Sequence, residues 1–200
     1  MCSFLILINF PLKLSDSCLN IQQNLLKESF QNWGASYSIE FDIVVNQLPS
    51  SQWTNVFRFT ATNGNFGSHG DRIPALFVNM HYGFFSFRTS LSNQADFASN
   101  INFATGEPYH VIIQQFNDNG QYRYKIIMND EVKENIVNNN PQSWSNVNLY
   151  TSDSFETSFT SEFGNISNFT VEQDIGETVI ATTTTSSIST TITSTASAGK

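Results

Sequence analysis

The sequence predicts an all-β sandwich or barrel, and three observations carry that prediction: aromatic content, period-two alternation and closely spaced turn residues. The 200 residues include 18 Phe, 6 Tyr and 3 Trp, while only 13% are charged. Phe and Tyr fit a pleated, half-buried surface better than a helix face. Hydrophobic residues make up 40%, enough for the core of one domain. The chain also holds 23 Asn, many of them beside Gly or in polar clusters, such as Asn117-Asp118-Asn119-Gly120 and Asn138-Asn139-Asn140-Pro141. Asn and Gly adopt positive φ at low cost, so such clusters punctuate strands.

Taken in order, residues 4–10 form a short apolar run, and residues 19–30 fit either a helical face or an edge strand. From residue 36 the alternation is clean: Tyr37, Ile39, Phe41 and Ile43 interleave with Ser38, Glu40 and Asp42, as in a half-buried strand. A turn near Pro49 leads to 53–60, where Trp53, Asn55, Phe57 and Phe59 alternate with Thr54, Val56, Arg58 and Thr60. Trp53, Phe57 and Phe59 are expected in the core. Residues 75–80 and 84–88 flank a hairpin at His81-Tyr82-Gly83, and 90–100 reads as a polar rim loop. The strongest hairpin signal joins 109–116 to 122–128 through Asn117–Gly120. Strands at 131–137, 144–150 and 163–171 follow, giving about ten short strands with turns every 8–12 residues.

Composition excludes several function classes. A net charge of −8, with nine scattered Lys and Arg, lacks the basic stripe that nucleic acid or anionic lipid requires. No apolar run is long enough to span a bilayer, so no membrane insertion is expected. Residues 1–18 read as a signal peptide or N-terminal extension, with a genuine first strand as the alternative. The apolar core is short, no basic residue precedes it, and Pro11 and Lys13 follow closely. Both cysteines, Cys2 and Cys18, fall in this segment. Residues 19–175 form the expected domain. In the tail, 13 of the 16 residues from 182 to 197 are Ser or Thr, so 176–200 is expected to be a disordered stalk or linker.

Three blocks carry a family resemblance: Tyr37-Ser38-Ile39-Glu40-Phe41-Asp42-Ile43, then 53–60, then Gly70-Asp71-Arg72-Ile73-Pro74-Ala75. Later segments follow in the same order at 107–113, 126–129, 147–150 and 164–169. Together, over about residues 19–172, the chain resembles extracellular modules of the concanavalin A-like lectin and glucanase superfamily, the laminin G-like branch most of all. The resemblance implies an antiparallel two-sheet jelly-roll sandwich, with binding on a sheet face or on rim loops. Such modules often carry cysteines around the polar loop, and the loop at 63–70 has none.

Catalytic and metal motifs are sparse. Glucanases of this fold place three acids on alternate strand positions, since retaining chemistry needs two close carboxylates. Glu40 and Asp42 begin that pattern, but Val44 and Val45 stand where the third acid would fall. The galectin pattern of His, Asn and Arg on one strand is absent. Calcium needs several oxygen ligands; Asp71 is the metal candidate, with a turn-stabilising role or a pair with Arg72 as the alternative. His69, His81 and His110 lack metal-ligand spacing. Trp144 and Tyr82 could stack on a sugar ring or belong to the core. Asn63, Asn65, His69, Asp71, Arg72 and Trp144 are the ligand-binding candidates. Two sequons, at Asn165 and Asn168, are glycosylation candidates, though a chain this rich in Asn would carry as many by chance.

The sequence is expected to encode a non-enzymatic, secreted or cell-surface recognition or adhesion module. Its ligand would be a glycan or an extracellular protein, held by loops at 63–70 and 90–100, with no cofactor. A glycan-active hydrolase and a structural spacer of a larger surface protein are the alternatives.

Overall fold

The computed structural model describes residues 4–7, 12–19, 21–22, 25–47, 53–64, 67–79, 81–152 and 157–174, and every regular element among them is a β-strand. Asn65, Cys2 and the Ser/Thr-rich tail lie outside the described residues.

Two sheets form an antiparallel jelly-roll sandwich. The first runs, in spatial order, β1 (Phe4–Leu7), β2 (Leu12–Cys18), β14 (Gly164–Asp174), β4 (Ser36–Val45), β9 (Pro108–Asp118), β10 (Gln121–Met128) and β11 (Glu131–Val137). The second runs β3 (Leu25–Trp33), β12 (Trp144–Thr151), β5 (Trp53–Thr60), β6 (Ala75–Asn79), β7 (Phe84–Leu91) and β8 (Gln94–Asn102). A short β13 (Thr157–Ser158) lies parallel to β5. The chain changes sheet between β2 and β3, β3 and β4, β4 and β5, β8 and β9, β11 and β12, and β13 and β14, so each sheet mixes distant sequence segments.

The period-two pattern sets which faces meet. Tyr37, Ile39, Phe41, Ile43 and Val45 of β4 are buried, while Glu40 between them is exposed. Opposite them, Phe57 of β5 packs edge-on to Phe41 at 5.3 Å and to Phe169 of β14 at 5.4 Å. Trp33 of β3 contacts both Phe59 (4.7 Å) and Tyr37 (5.2 Å), closing the same layer towards the sheet edge. Phe85 and Tyr109 join the sheets at another point, 5.6 Å apart. Each buried Phe contributes about 1.5–3 kcal/mol by removal of apolar surface from water, and edge-on pairs add to this. Burial raises the hydroxyl pKa of Tyr37 and of Tyr124, so both stay neutral inside the sandwich.

Bulges break the alternation at two informative places. The register of β5 shifts between Asn55 and Phe57, so the residues before it fall out of phase with those after it. In β14, the register shifts between Ser167 and Thr170, and Asn168 adopts φ 53°. That extra residue lets Ile166 and Phe169 both face the core although they are three positions apart.

Two expectations are corrected. Trp53 is not core: the bulge puts it on the outer face of the second sheet, half-buried against Phe84 at 5.8 Å. Nor is 90–100 a rim loop. It is the end of β7, a tight turn at Ser92-Asn93, and β8, an edge strand. Phe97 and Ile101 face inward, but the buried Ser99 between them and the polar outer face hide the apolar period. Of the ambiguous segment at 19–30, residues 25–30 lie in edge strand β3, and Leu12–Cys18 pairs with β14.

The packing predicts a clear contrast in urea unfolding. Phe57→Ala empties a fully buried, cross-sheet site and is expected to cost about 3–5 kcal/mol. Gly120→Ala, at φ 89° in the open β9–β10 turn, is expected to cost only about 1–2 kcal/mol from backbone strain.

Candidate functional site

The outer face of the second sheet, turned away from the core, gathers chemistry from five strands. Cross-strand register places Tyr150, Arg58, Ala75, Arg88 and Ala98 side by side in one row. A second row holds Asn55, Phe77, Ser86 and Asn100, and a third holds Trp53, Asn79, Phe84 and Asn102. Three guanidiniums lie over rings of this face: Arg58 over Tyr150 (5.5 Å), Arg72 over Phe77 (4.9 Å) and Arg88 over Trp53 (5.4 Å). Each such contact is worth about 0.5–2 kcal/mol, more where water is excluded. Asp96 bridges two of them, 2.7 Å from Arg72 and 2.5 Å from Arg88. Asn79 is wholly buried; its Oδ1 accepts the Tyr82 amide, while its Nδ2 has no hydrogen-bond partner among the described residues.

The loop at 61–74 crosses the middle of this face, and Asp71 organises it. The Asp71 carboxylate accepts from the Thr62 hydroxyl and, at 2.9 Å, from the Ser68 amide. A Cβ at Gly64 would stand 2.5 Å from an Asp71 oxygen, so glycine lets the loop close on that carboxylate. The Arg58 guanidinium donates to the Gly64 carbonyl from below. Asp71 is only 3% exposed, with both carboxylate oxygens hydrogen-bonded within the loop.

The remaining candidates divide into two groups. Asn63 sits at φ 62° on the exposed rim and accepts from Asn148 (2.9 Å) and Tyr150 (3.4 Å). Also on the rim, His69 lies against Trp144, ring centres 5.2 Å apart, with its Nε2 3.0 Å from Gln142. Gly70 permits this approach, because a Cβ there would stand 2.8 Å from the Trp144 ring. Arg72, by contrast, is nearly buried and belongs with Asp96 and Arg88. Asn65 falls outside the described residues. Sequence reading missed Trp53, Arg58, Arg88, Asp96 and Tyr150 as site residues. Arg58 between Phe57 and Phe59, and Arg88 after Phe87, were the available signals: a cation inside an aromatic strand must lie on its other face.

A separate cluster occupies the outer face of the first sheet. His110 donates from Nδ1 to Asp42 at 2.8 Å, its Nε2 lies 3.6 Å from Glu40, and Asn168 donates to the other Asp42 oxygen at 2.6 Å. Partial burial works to raise the Asp42 pKa, but hydrogen bonds from His110 and Asn168, and the His110 charge, outweigh it. The carboxyl is therefore held below its ordinary value. The two sequon asparagines, Asn165 and Asn168, are both exposed on this strand. Among the described residues, no group of three or more His, Cys, Asp or Glu is arranged to hold a metal ion, and no helix is long and apolar enough to cross a membrane.

No protein-family model matches the chain, and no curated protein sequence does. Among solved structures, the alginate lyase Aly36B shares 14% identity over 82% of this chain and 81% of that one, with a TM-score of 0.47. The carbohydrate-binding module CBM66 from Bacillus subtilis shares 13% over 86% and 92%, with a TM-score of 0.41. Sheep galectin-11 shares 10% over 76% and 99%, with a TM-score of 0.47. No residue role passes from these proteins to this chain.

Two measurements check the site's electrostatics. Asp71→Ala leaves the Ser68 amide and Thr62 hydroxyl without their acceptor and is expected to lower stability by about 1–3 kcal/mol in urea unfolding. A carboxyl held below its ordinary pKa binds fewer protons folded than unfolded. The stability from Asp42 is therefore present above the ordinary value of 3.8 and lost as pH falls through the folded value. Acid titration of stability should accordingly be shallower in Asp42→Asn than in the wild type.

Proposed function

We propose that this chain is a non-enzymatic recognition module that acts outside the cell and binds a glycan on the outer face of its second sheet and the adjoining 63–70 rim. The observation that carries this reading is the assembly on one face of rings, guanidiniums and amides from separate strands, in cross-strand register. A pyranose offers apolar C–H faces and a rim of hydroxyls. Flat rings such as Tyr82, 65% exposed, suit the first, while Arg and Asn side chains suit the second because they offer several donors and acceptors in fixed geometry. The arginines are held in place by their rings and by Asp96, so little ordering entropy is lost when a ligand binds.

The non-catalytic part of the reading rests on where the carboxylates stand. Glu40 and Asp42 lie on the opposite sheet, engaged with His110 and Asn168 rather than with this face. The extracellular setting and the laminin G-like kinship rest on the sequence blocks and the Ser/Thr-rich tail.

A glycan array with the whole chain tests the reading. Binding to a defined set of glycans is expected, with Tyr82→Ala weakening it by about fivefold or more while the melting temperature holds, since Tyr82 is largely exposed. A chain that binds no glycan overturns the reading. Glycan cleavage abolished by Glu40→Gln would replace it with a hydrolytic one.

A further inference from the structure

Three of the four arginines of a chain carrying net charge −8 converge on this one face. Two of them, Arg72 and Arg88, share a single carboxylate, that of Asp96. The bridge also displays the geometry that the pair accepts: a planar, two-oxygen anion spanning two guanidiniums.

Arg88 has capacity left. Its Nη1 meets Asp96 and its Nε lies 3.4 Å from Ser86, but its Nη2 donates to none of the described residues. The side chain is 23% exposed, against 10% for Arg72. Beside it runs a strip of rings. Arg88 lies over Trp53 at 5.4 Å, Trp53 meets Phe84 at 5.8 Å, and Phe84 lies parallel to Tyr82 within 7° at 6.2 Å. Arg88 and Trp53, whose ring stands at 73° to that of Phe84, therefore close one end of a short platform formed by Phe84 and the exposed Tyr82.

We infer that the occupant is a uronate-containing polysaccharide, with its sugar rings on Tyr82 and Phe84 and a ring carboxylate paired with Arg88. This deepens, and rests on, the glycan reading of the same face. The Arg88 Nη2 carries two N–H donors, and a ligand carboxylate oxygen accepts from it beside the carboxylate that Asp96 already presents there. The overall negative charge repels a polyanion at a distance, so recognition acts at contact, through hydrogen bonds. Neutralising the ligand's carboxylates is thus a cleaner probe than raising the salt concentration.

Isothermal titration of the whole chain with polygalacturonate, alginate and hyaluronate, each alongside its carboxyl-reduced form, tests the inference; dextran sulfate and a neutral β-glucan complete the panel. At least one polyuronate is expected to bind, and carboxyl reduction should weaken it about tenfold or more. Arg88→Gln should bring that polyuronate down to the affinity of its reduced form, while Tyr82→Ala should weaken both forms alike. If Arg88→Gln does not fold, as judged by thermal unfolding, carboxyl reduction of the ligand decides the matter on the unaltered protein. Equal binding of a polyuronate and its reduced form, tighter binding of dextran sulfate than of every polyuronate, or binding of the neutral glucan alone would overturn the uronate inference and leave the glycan reading standing. Failure of every polymer to bind would overturn the uronate inference alone; the glycan reading falls only if the glycan array is empty as well.

Discussion

The ring of Phe57 is the contact on which the sandwich depends. It projects from the second sheet between Phe41 and Phe169 of the first, and all three are fully buried. A strand side chain can face only one way, so directing Phe57 and Phe59 inward sends Arg58, between them, to the outer face. Its guanidinium then needs a new environment, which the Tyr150 ring and the Gly64 carbonyl supply. Core packing and site chemistry are in this sense two sides of one strand.

The bulge in β5 extends this logic. Were β5 regular through Val56, with no bulge, Trp53 would share the inward phase of Phe57 and add to the core. With it, Trp53 joins Asn79 and Phe84 in an outer row and offers its ring to Arg88. Asp71 completes the face by folding the 61–74 loop across it, which brings Arg72 onto Phe77 and leaves Asn63 and His69 on the rim. A bulge and a buried carboxylate thus convert a regular strand pattern into a shaped surface.

The two outer faces differ in character. On the first sheet, the carboxylates of Glu40 and Asp42 bracket His110, and Asn168 caps Asp42. On the second, arginines outnumber acids, and of the rings only Tyr82 is largely exposed. Three of the four guanidiniums of a chain with a strong negative balance lie on this face, Arg58 and Arg72 nearly buried and Arg88 partly exposed.

How much was legible in advance differs between scaffold and site. Clean alternation at Tyr37 to Ile43 and the turn at Asn117–Gly120 marked β4, β9 and β10, because both signals are local. Edge strand β8 was hidden because Ser99 and Asp96 blur its period, and Trp53 was misplaced because a bulge is invisible in a residue pattern. Of the candidate residues, Asn63 and His69 are exposed on the polar loop, whereas Arg72 is nearly buried beside Asp96 and Trp144 begins β12, packed against the core. Arg58, Arg88 and Asp96 did not announce themselves: they come together only through strand register between segments tens of residues apart. The sequence by itself determined the strand-forming pattern, the turns and the net charge, which are properties of neighbours along the chain. Only the tertiary structure decided which residues share a face and which arginines share a carboxylate, because register is set by the packing of the two sheets as a whole.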